Sequence, residues 1–175
     1  MRVTVGQTQL EMVKGDITQE VTDAVVNAAN RQLAPGGGVA GAIHRAAGPG
    51  LWEECQQLGG IDTGEAVITS GHNFWARYVI HTVGPVYSGA PEDSRLLARS
   101  YRNSLRLAVD SGLSSIAFPS LSTGAFGYPH GEAAQVAMET VVEFLQENHR
   151  LHLVRFVLFD CTSWKAYVGA LRDLV

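Results

Sequence analysis

Between Val25 and Gly48 the sequence reads VVNAANRQLAPGGGVAGAIHRAAG. A short apolar run stops at Asn27, a second amide follows at Asn30, and three glycines, Gly36 to Gly38, lead directly into a helical pattern from Val39 to Ala47. Glycines ahead of a helix let bare backbone N–H groups close on an anion, and the helix N-terminus adds the positive end of its dipole. Neither a core strand nor a solvated loop needs that arrangement, so the segment reads as a seat for a phosphorylated small molecule. A second glycine loop, PSLSTGAFGYP from Pro119 to Pro129, offers the hydroxyls of Ser120, Ser122 and Thr123 beside Gly124 and Gly127. Two such loops after neighbouring strands can clamp a diphosphate from both sides. Phe126 either packs on a sugar ring or folds onto the core.

The elements that must hold these loops alternate in type. Strands are expected at Val3 to Val5, Leu10 to Val13, Ala24 to Val26, Ala66 to Thr69, Tyr78 to Val83, Ser115 to Phe118 and Leu153 to Phe159. Helical spacing covers Leu51 to Leu58, Ser94 to Ser111, Gly131 to Asn148 and Trp164 to Leu174, besides the helix after the first glycines, of which Gly41 to Ala47 is the firmest part. The run from Leu153 is apolar enough for a strand covered on both faces. Alternation of this kind predicts an α/β fold, a three-layer α-β-α sandwich around a central mixed, mostly parallel sheet. In such sheets ligands sit beyond the carboxyl ends of the strands. Four expected ends, at Val13, Val26, Phe118 and Phe159, run into small or polar segments and make one crevice.

The chain has 175 residues, room for a single domain over 1–175 with a real core. A net charge of -4 and a pI of about 5.8 give no basic face for duplex nucleic acid, so nucleic acid is not an expected partner. No apolar run approaches a membrane span, and the alternating N-terminus does not resemble a secretory leader. Cys55 and Cys161 stand far apart without a CxxC partner, which argues against zinc and against a disulfide framework. The expectation is a cytoplasmic, reduced protein without metal or cofactor.

At this point the residues resemble the macrodomain family, in its MacroD-type branch of ADP-ribose-binding hydrolases. The matching segments are VKGDIT from Val13, DAVVNAAN from Asp23, GGGVAGAIHRAAGP from Gly36, Thr63-Gly64 with Ala66, VIHTVGP from Val79 and IAFPSLSTGAFGYP from Ile116. They run in the family's order across almost the whole chain. The resemblance implies that the Asp16 carboxylate accepts from the adenine amino group, an acceptor suited to an exocyclic NH₂, with Ile17 against the base. It implies that Phe159 packs on the adenine ring. Gly36, Gly37, Gly38 and Val39 would hold one side of the diphosphate, and Ser122, Thr123, Gly124, Ala125 and Phe126 the other. Asn30 would reach the distal ribose hydroxyls, while Asn27 braces the loop. Asp16 as a simple turn cap and Phe159 as a core residue remain open alternatives.

One position departs from the pattern. Ala40 stands where the branch usually carries an aspartate thought to orient a water near the distal ribose, and an alanine cannot act as a base. Natural divergence and a substitution made to trap ligand both account for it, and the closeness of the rest of the chain leans toward the second. Some viral relatives resemble hydrolases with the same alanine, and there the ligand's own phosphate would polarise the water. The functions in play are therefore hydrolysis of ADP-ribose esters (mono-ADP-ribose on acidic protein side chains, or O-acetyl-ADP-ribose), a non-catalytic ADP-ribose reader, and an RNA-directed role that the acidic pI opposes.

Other chemistries fit less well. Gly36 to Gly41 satisfies the dinucleotide-binding spacing, but Asp62 follows a loop rather than a strand and Asn30 to Pro35 lengthen the turn too far. His81, inside an apolar strand, reads as a satisfied core histidine; His44 lies on the helix after the glycines. No serine has a nucleophile-elbow context. Trp52, Trp75 and Trp164 read as packing, and Glu92-Asp93 as a pair that serves a helix dipole and little else.

Overall fold

Leu153–Leu158 is the strand the sheet is built around, because its residues have apolar partners on both faces. The computed structural model describes all 175 residues. Its strands are β1 (Arg2–Val5), β2 (Thr8–Lys14), β3 (Ala24–Ala28), β4 (Ala66–Ser70), β5 (Tyr78–Thr82), β6 (Ser115–Phe118) and β7 (Leu153–Leu158). They form one seven-stranded sheet in the order β1-β2-β7-β6-β3-β5-β4. The five inner strands are parallel, and β1 and β4 close the edges antiparallel to β2 and β5. This is the mixed, mostly parallel sheet expected from the alternation.

The helices are α1 (Gly38–Ala47), α2 (Pro49–Leu58), α3 (Glu92–Asp110), α4 (His130–Glu147) and α5 (Cys161–Leu174). On one face Ile43, Ala47, Leu51 and Cys55 of α1 and α2 pack with Val25 and Val157 of the sheet. On the other, α3, α4 and α5 bring Leu97, Tyr101, Met138, Leu145 and Tyr167 onto Val26, Val154 and Phe156. Successive residues of β7 thus face opposite layers, as the period of two requires. Three layers follow from that alternation.

Several boundaries differ from the sequence reading, each for a local reason. Strand β7 stops at Leu158, so Phe159 lies outside the ladder. Helix α5 starts at Cys161, three residues early, because Asp160 Oδ1 accepts from Ser163 N at 2.8 Å and caps it. A single 3₁₀ turn, Ile17–Gln19, was not foreseen. Trp75 is 72% exposed and packs on no core. Asp93 is buried and does more than meet a dipole: its carboxylate accepts from the backbone N–H of Ser88 and Gly89 and from Ser88 Oγ, fastening the loop before α3.

Candidate functional site

Parallel pairing puts the carboxyl ends of β2, β7, β6 and β3 along one edge of the sheet, and the segments that leave them line a single two-lobed cleft. The first lobe, about 520 Å³, lies beyond β2 and β7 and is lined by Gly15, Asp16, Ile17, Val157, Phe159 and Asp160 together with Thr123. The second, about 380 Å³, lies beyond β3 and β6 and is lined by Asn30, Gly36, Gly37, Ala40, Gly84, Ser122, Ala125 and Phe126. Gly38, Val39, Ser120 and Gly124 border both lobes. Every site residue expected from the sequence borders this cleft. A separate open groove of about 690 Å³, around Arg31, Trp52 and Asp62, contains none of them.

The first glycine loop leaves its backbone open ahead of α1. Gly37 caps α1 without a side-chain bond, and the N–H groups of the first helical turn have no acceptor within a helix. Gly38 has φ +57°, and a Cβ at Gly37 or Gly38 would meet only open space. Gly41 lets the helix return against its own loop, since a Cβ there would fall on the Gly36 carbonyl oxygen. Ala40 is buried in the first turn of α1 and borders the second lobe beside Asn30. In the other loop Gly127 N donates to Gly124 O at 3.0 Å and Tyr128 N to Ser122 O at 2.9 Å. These bonds tighten the loop while the N–H groups of Gly124, Ala125 and Phe126 take no acceptor from the protein. Ser122 holds the left-handed region at φ +68°, and its buried hydroxyl has no partner. Phe126 is half-buried at the cleft wall rather than folded into the core.

The bracing part expected of Asn27 falls to Asn30. Asn30 braces the loop: its Oδ1 accepts from Ala34 N at 2.9 Å and its Nδ2 donates to Ala34 O at 3.0 Å. One proton and one lone pair of that amide stay available to the second lobe. Asn27 lies in β3, is buried, and bonds across to β5 through His81 Nδ1 at 3.0 Å. His81 is fully buried, with Thr69 Oγ1 2.9 Å from its Nε2, and burial pulls its pKa down to about 3. It is a satisfied core histidine.

Asp16 does cap a turn, yet remains free to do more. Its Oδ1 accepts from the hydroxyl and the backbone N–H of Thr18, at 2.7 and 2.9 Å, and these bonds hold its carboxyl below the usual range. Its other oxygen has no protein partner, and the residue is exposed in the first lobe. Phe159 is 87% exposed, so it is not core. A large arene held in water at a cleft mouth is a surface for a flat ligand. The sequence reading passed over Gly84, which admits the second loop, although it lies in the motif VIHTVGP. It also passed over Val157, whose inward position in β7 gave no signal.

Comparison with known proteins adds the family. The profile of the Macro domain family matches residues 26–137. The chain is 48% identical over 168 residues to the protein named ADP-ribose glycohydrolase MACROD2 from Xenopus laevis, covering 94% of this chain and 40% of that one. It is 47% identical over 170 residues to the O-acetyl-ADP-ribose deacetylase of Salmonella typhimurium, covering 94% and 95% respectively. Among solved structures, the Oceanobacillus iheyensis macrodomain with ADP superposes with a TM-score of 0.96 at 47% identity, over 99% of this chain and 95% of that one. The same macrodomain has been solved with ADPR as a glycine-to-valine mutant.

Proposed function

The chain belongs to the macrodomain family, and from that premise we propose that its cleft binds ADP-ribose and hydrolyses ADP-ribose esters. The substrates are mono-ADP-ribose on acidic side chains of proteins, O-acetyl-ADP-ribose, or both. One observation carries this reading: two glycine loops with unpaired N–H groups border one cleft, an exposed arene and an acid stand at its first lobe, and an asparagine stands at its second. That order matches adenine, diphosphate and distal ribose along one molecule.

In this reading the adenine lies on Phe159 with its amino group at the free oxygen of Asp16, and Ile17 supports the ring. The diphosphate bridges the N–H groups of Gly38, Val39 and Ala40 and those of Gly124, Ala125 and Phe126. Fixed N–H dipoles of this kind bind an anion with little reorganisation. Asn30 meets the ribose hydroxyls with its remaining proton and lone pair. The ester carbon then sits beside Ala40, where no side chain can take a proton, so the phosphate oxygens orient the attacking water. Holding water and ester together supplies most of the acceleration. The cysteine usage supports a cytoplasmic setting.

Ala40 favours a second reading, a reader that binds ADP-ribose without turning it over. Titration calorimetry with ADP-ribose, followed by assay of ADP-ribose release from a modified protein, separates the two. Binding with release supports the hydrolase, and binding without release supports the reader. Absence of binding removes both.

A further inference from the structure

Four hydroxyls run from the core to the cleft. Tyr101 on α3 and Tyr167 on α5 are fully buried, with their phenol oxygens 3.1 Å apart. Tyr167 Oη lies 2.9 Å from Ser120 Oγ, which lies 2.6 Å from Thr123 Oγ1. At the inner end the backbone N–H of Leu121 donates to Tyr101 Oη at 3.1 Å.

That inner anchor sets the direction of every proton. A backbone N–H can only donate, so Tyr101 Oη accepts there and its own proton finds its acceptor in Tyr167. Tyr167 then donates to Ser120, and Ser120 to Thr123. The reverse order would leave the Tyr101 proton unpaired in the core, an arrangement folded proteins avoid. In the forward order the unpaired proton falls on Thr123, which borders the cleft near Gly38. Burial pushes both phenols above their ordinary range, so neither proton is lost. Hydroxyls linked in this sense polarise one another, and the last becomes the better donor.

We propose that Tyr101 and Tyr167 are positioning residues that, through Ser120, commit the Thr123 hydroxyl to donate to the anionic group of the ligand. The inference rests on the reading of this cleft as an ADP-ribose site and adds to it. A solvated threonine hydroxyl rotates between donor and acceptor roles. This one has Ser120 donating into its oxygen from behind, so it selects a phosphate oxygen over a ligand donor.

The test is a double-mutant cycle on the intact chain, with Tyr167→Phe and Thr123→Val made singly and together. ADP-ribose affinity is read by calorimetry, and the thermal midpoint is recorded for each variant. Thr123→Val is expected to weaken binding about tenfold, the usual effect of losing one charge-assisted hydrogen bond. Tyr167→Phe is expected to weaken it about threefold alone and not at all in the Thr123→Val background, because it acts only through that hydroxyl. The same threefold loss in both backgrounds, or no loss in either, overturns the inference. If Tyr167→Phe does not fold, Ser120→Ala takes its place under the same criterion. An unmodified chain that fails to bind ADP-ribose overturns the functional reading, and the inference with it. A binding chain with an additive cycle overturns the inference alone.

Discussion

The α-carbon of Gly84 lies so close to the Ser122 hydroxyl that a methyl group at position 84 would overlap it. This contact joins the loop after β5 to the second glycine loop at Ser122, which holds a left-handed conformation. Gly84→Ala should therefore force Ser122 outward and displace the N–H groups that follow it. ADP-ribose affinity is expected to fall by about tenfold or more, on the scale of 1–3 kcal/mol for overpacking. Calorimetry checks it, and an unchanged dissociation constant would show that the loop adapts freely.

Phe159 offers a clean separation of binding from stability, since a side chain 87% exposed contributes little to folding. Phe159→Ala should leave the unfolding free energy within the scatter of surface substitutions, about ±0.5 kcal/mol. Affinity should drop by about 1–3 kcal/mol, the cost of losing one base–aromatic stack. Asp16→Ala differs, because it removes the cap on Thr18 as well as the acceptor for the base. It should lower both affinity and the thermal midpoint. Loss of stability without loss of affinity would reduce Asp16 to a turn cap.

Position 40 separates positioning from proton transfer. Ala40 sits in the first turn of α1, where a carboxylate is favoured by the helix dipole. Ala40→Asp should keep ADP-ribose affinity near its original value and raise the rate of release from a modified glutamate, on the order of 10²-fold for an added general base. Equal rates in the two proteins would exclude position 40 from the reaction.

The buried His81 makes folding pH-dependent. Its pKa falls from the ordinary histidine range in the unfolded chain to about 3 in the fold, chiefly through burial. Between those values the unfolded state binds a proton that the folded state does not. Stability is complete above the unfolded value and is lost as pH falls, by up to about 1.4 kcal/mol per pH unit. Urea midpoints measured from pH 7 to pH 4.5 should decline, and His81→Leu should flatten the slope. An unchanged slope would assign the dependence to other groups, such as His44, whose pKa burial also lowers.

Most of the fold was legible because its signals are periodic. The apolar run of β7, the stripe of α4 and the glycine stops after α1, α2 and α3 mark elements without tertiary knowledge. Capping was less visible although its partners are close in sequence: Asp160 caps α5 through Ser163 N, three residues on, and Asp93 reaches back to Ser88 and Gly89. The cleft was legible where glycines and hydroxyls cluster in sequence. The parts of Asn27 and Asn30 were not, because one turn of chain decides which amide meets β5 and which meets Ala34. Tyr167 lies over forty residues from Ser120, and no local pattern records their bond.

The central claim is that ADP-ribose spans the cleft between the two glycine loops, and backbone amide resonances report it most directly. Titrating the ¹⁵N-labelled chain with ADP-ribose should shift the N–H signals of Gly36 to Ala40 and Gly124 to Phe126 together, along with the residues beside Asp16 and Phe159. Shifts confined to the groove around Arg31 and Trp52, or none at saturating ligand, would contradict it.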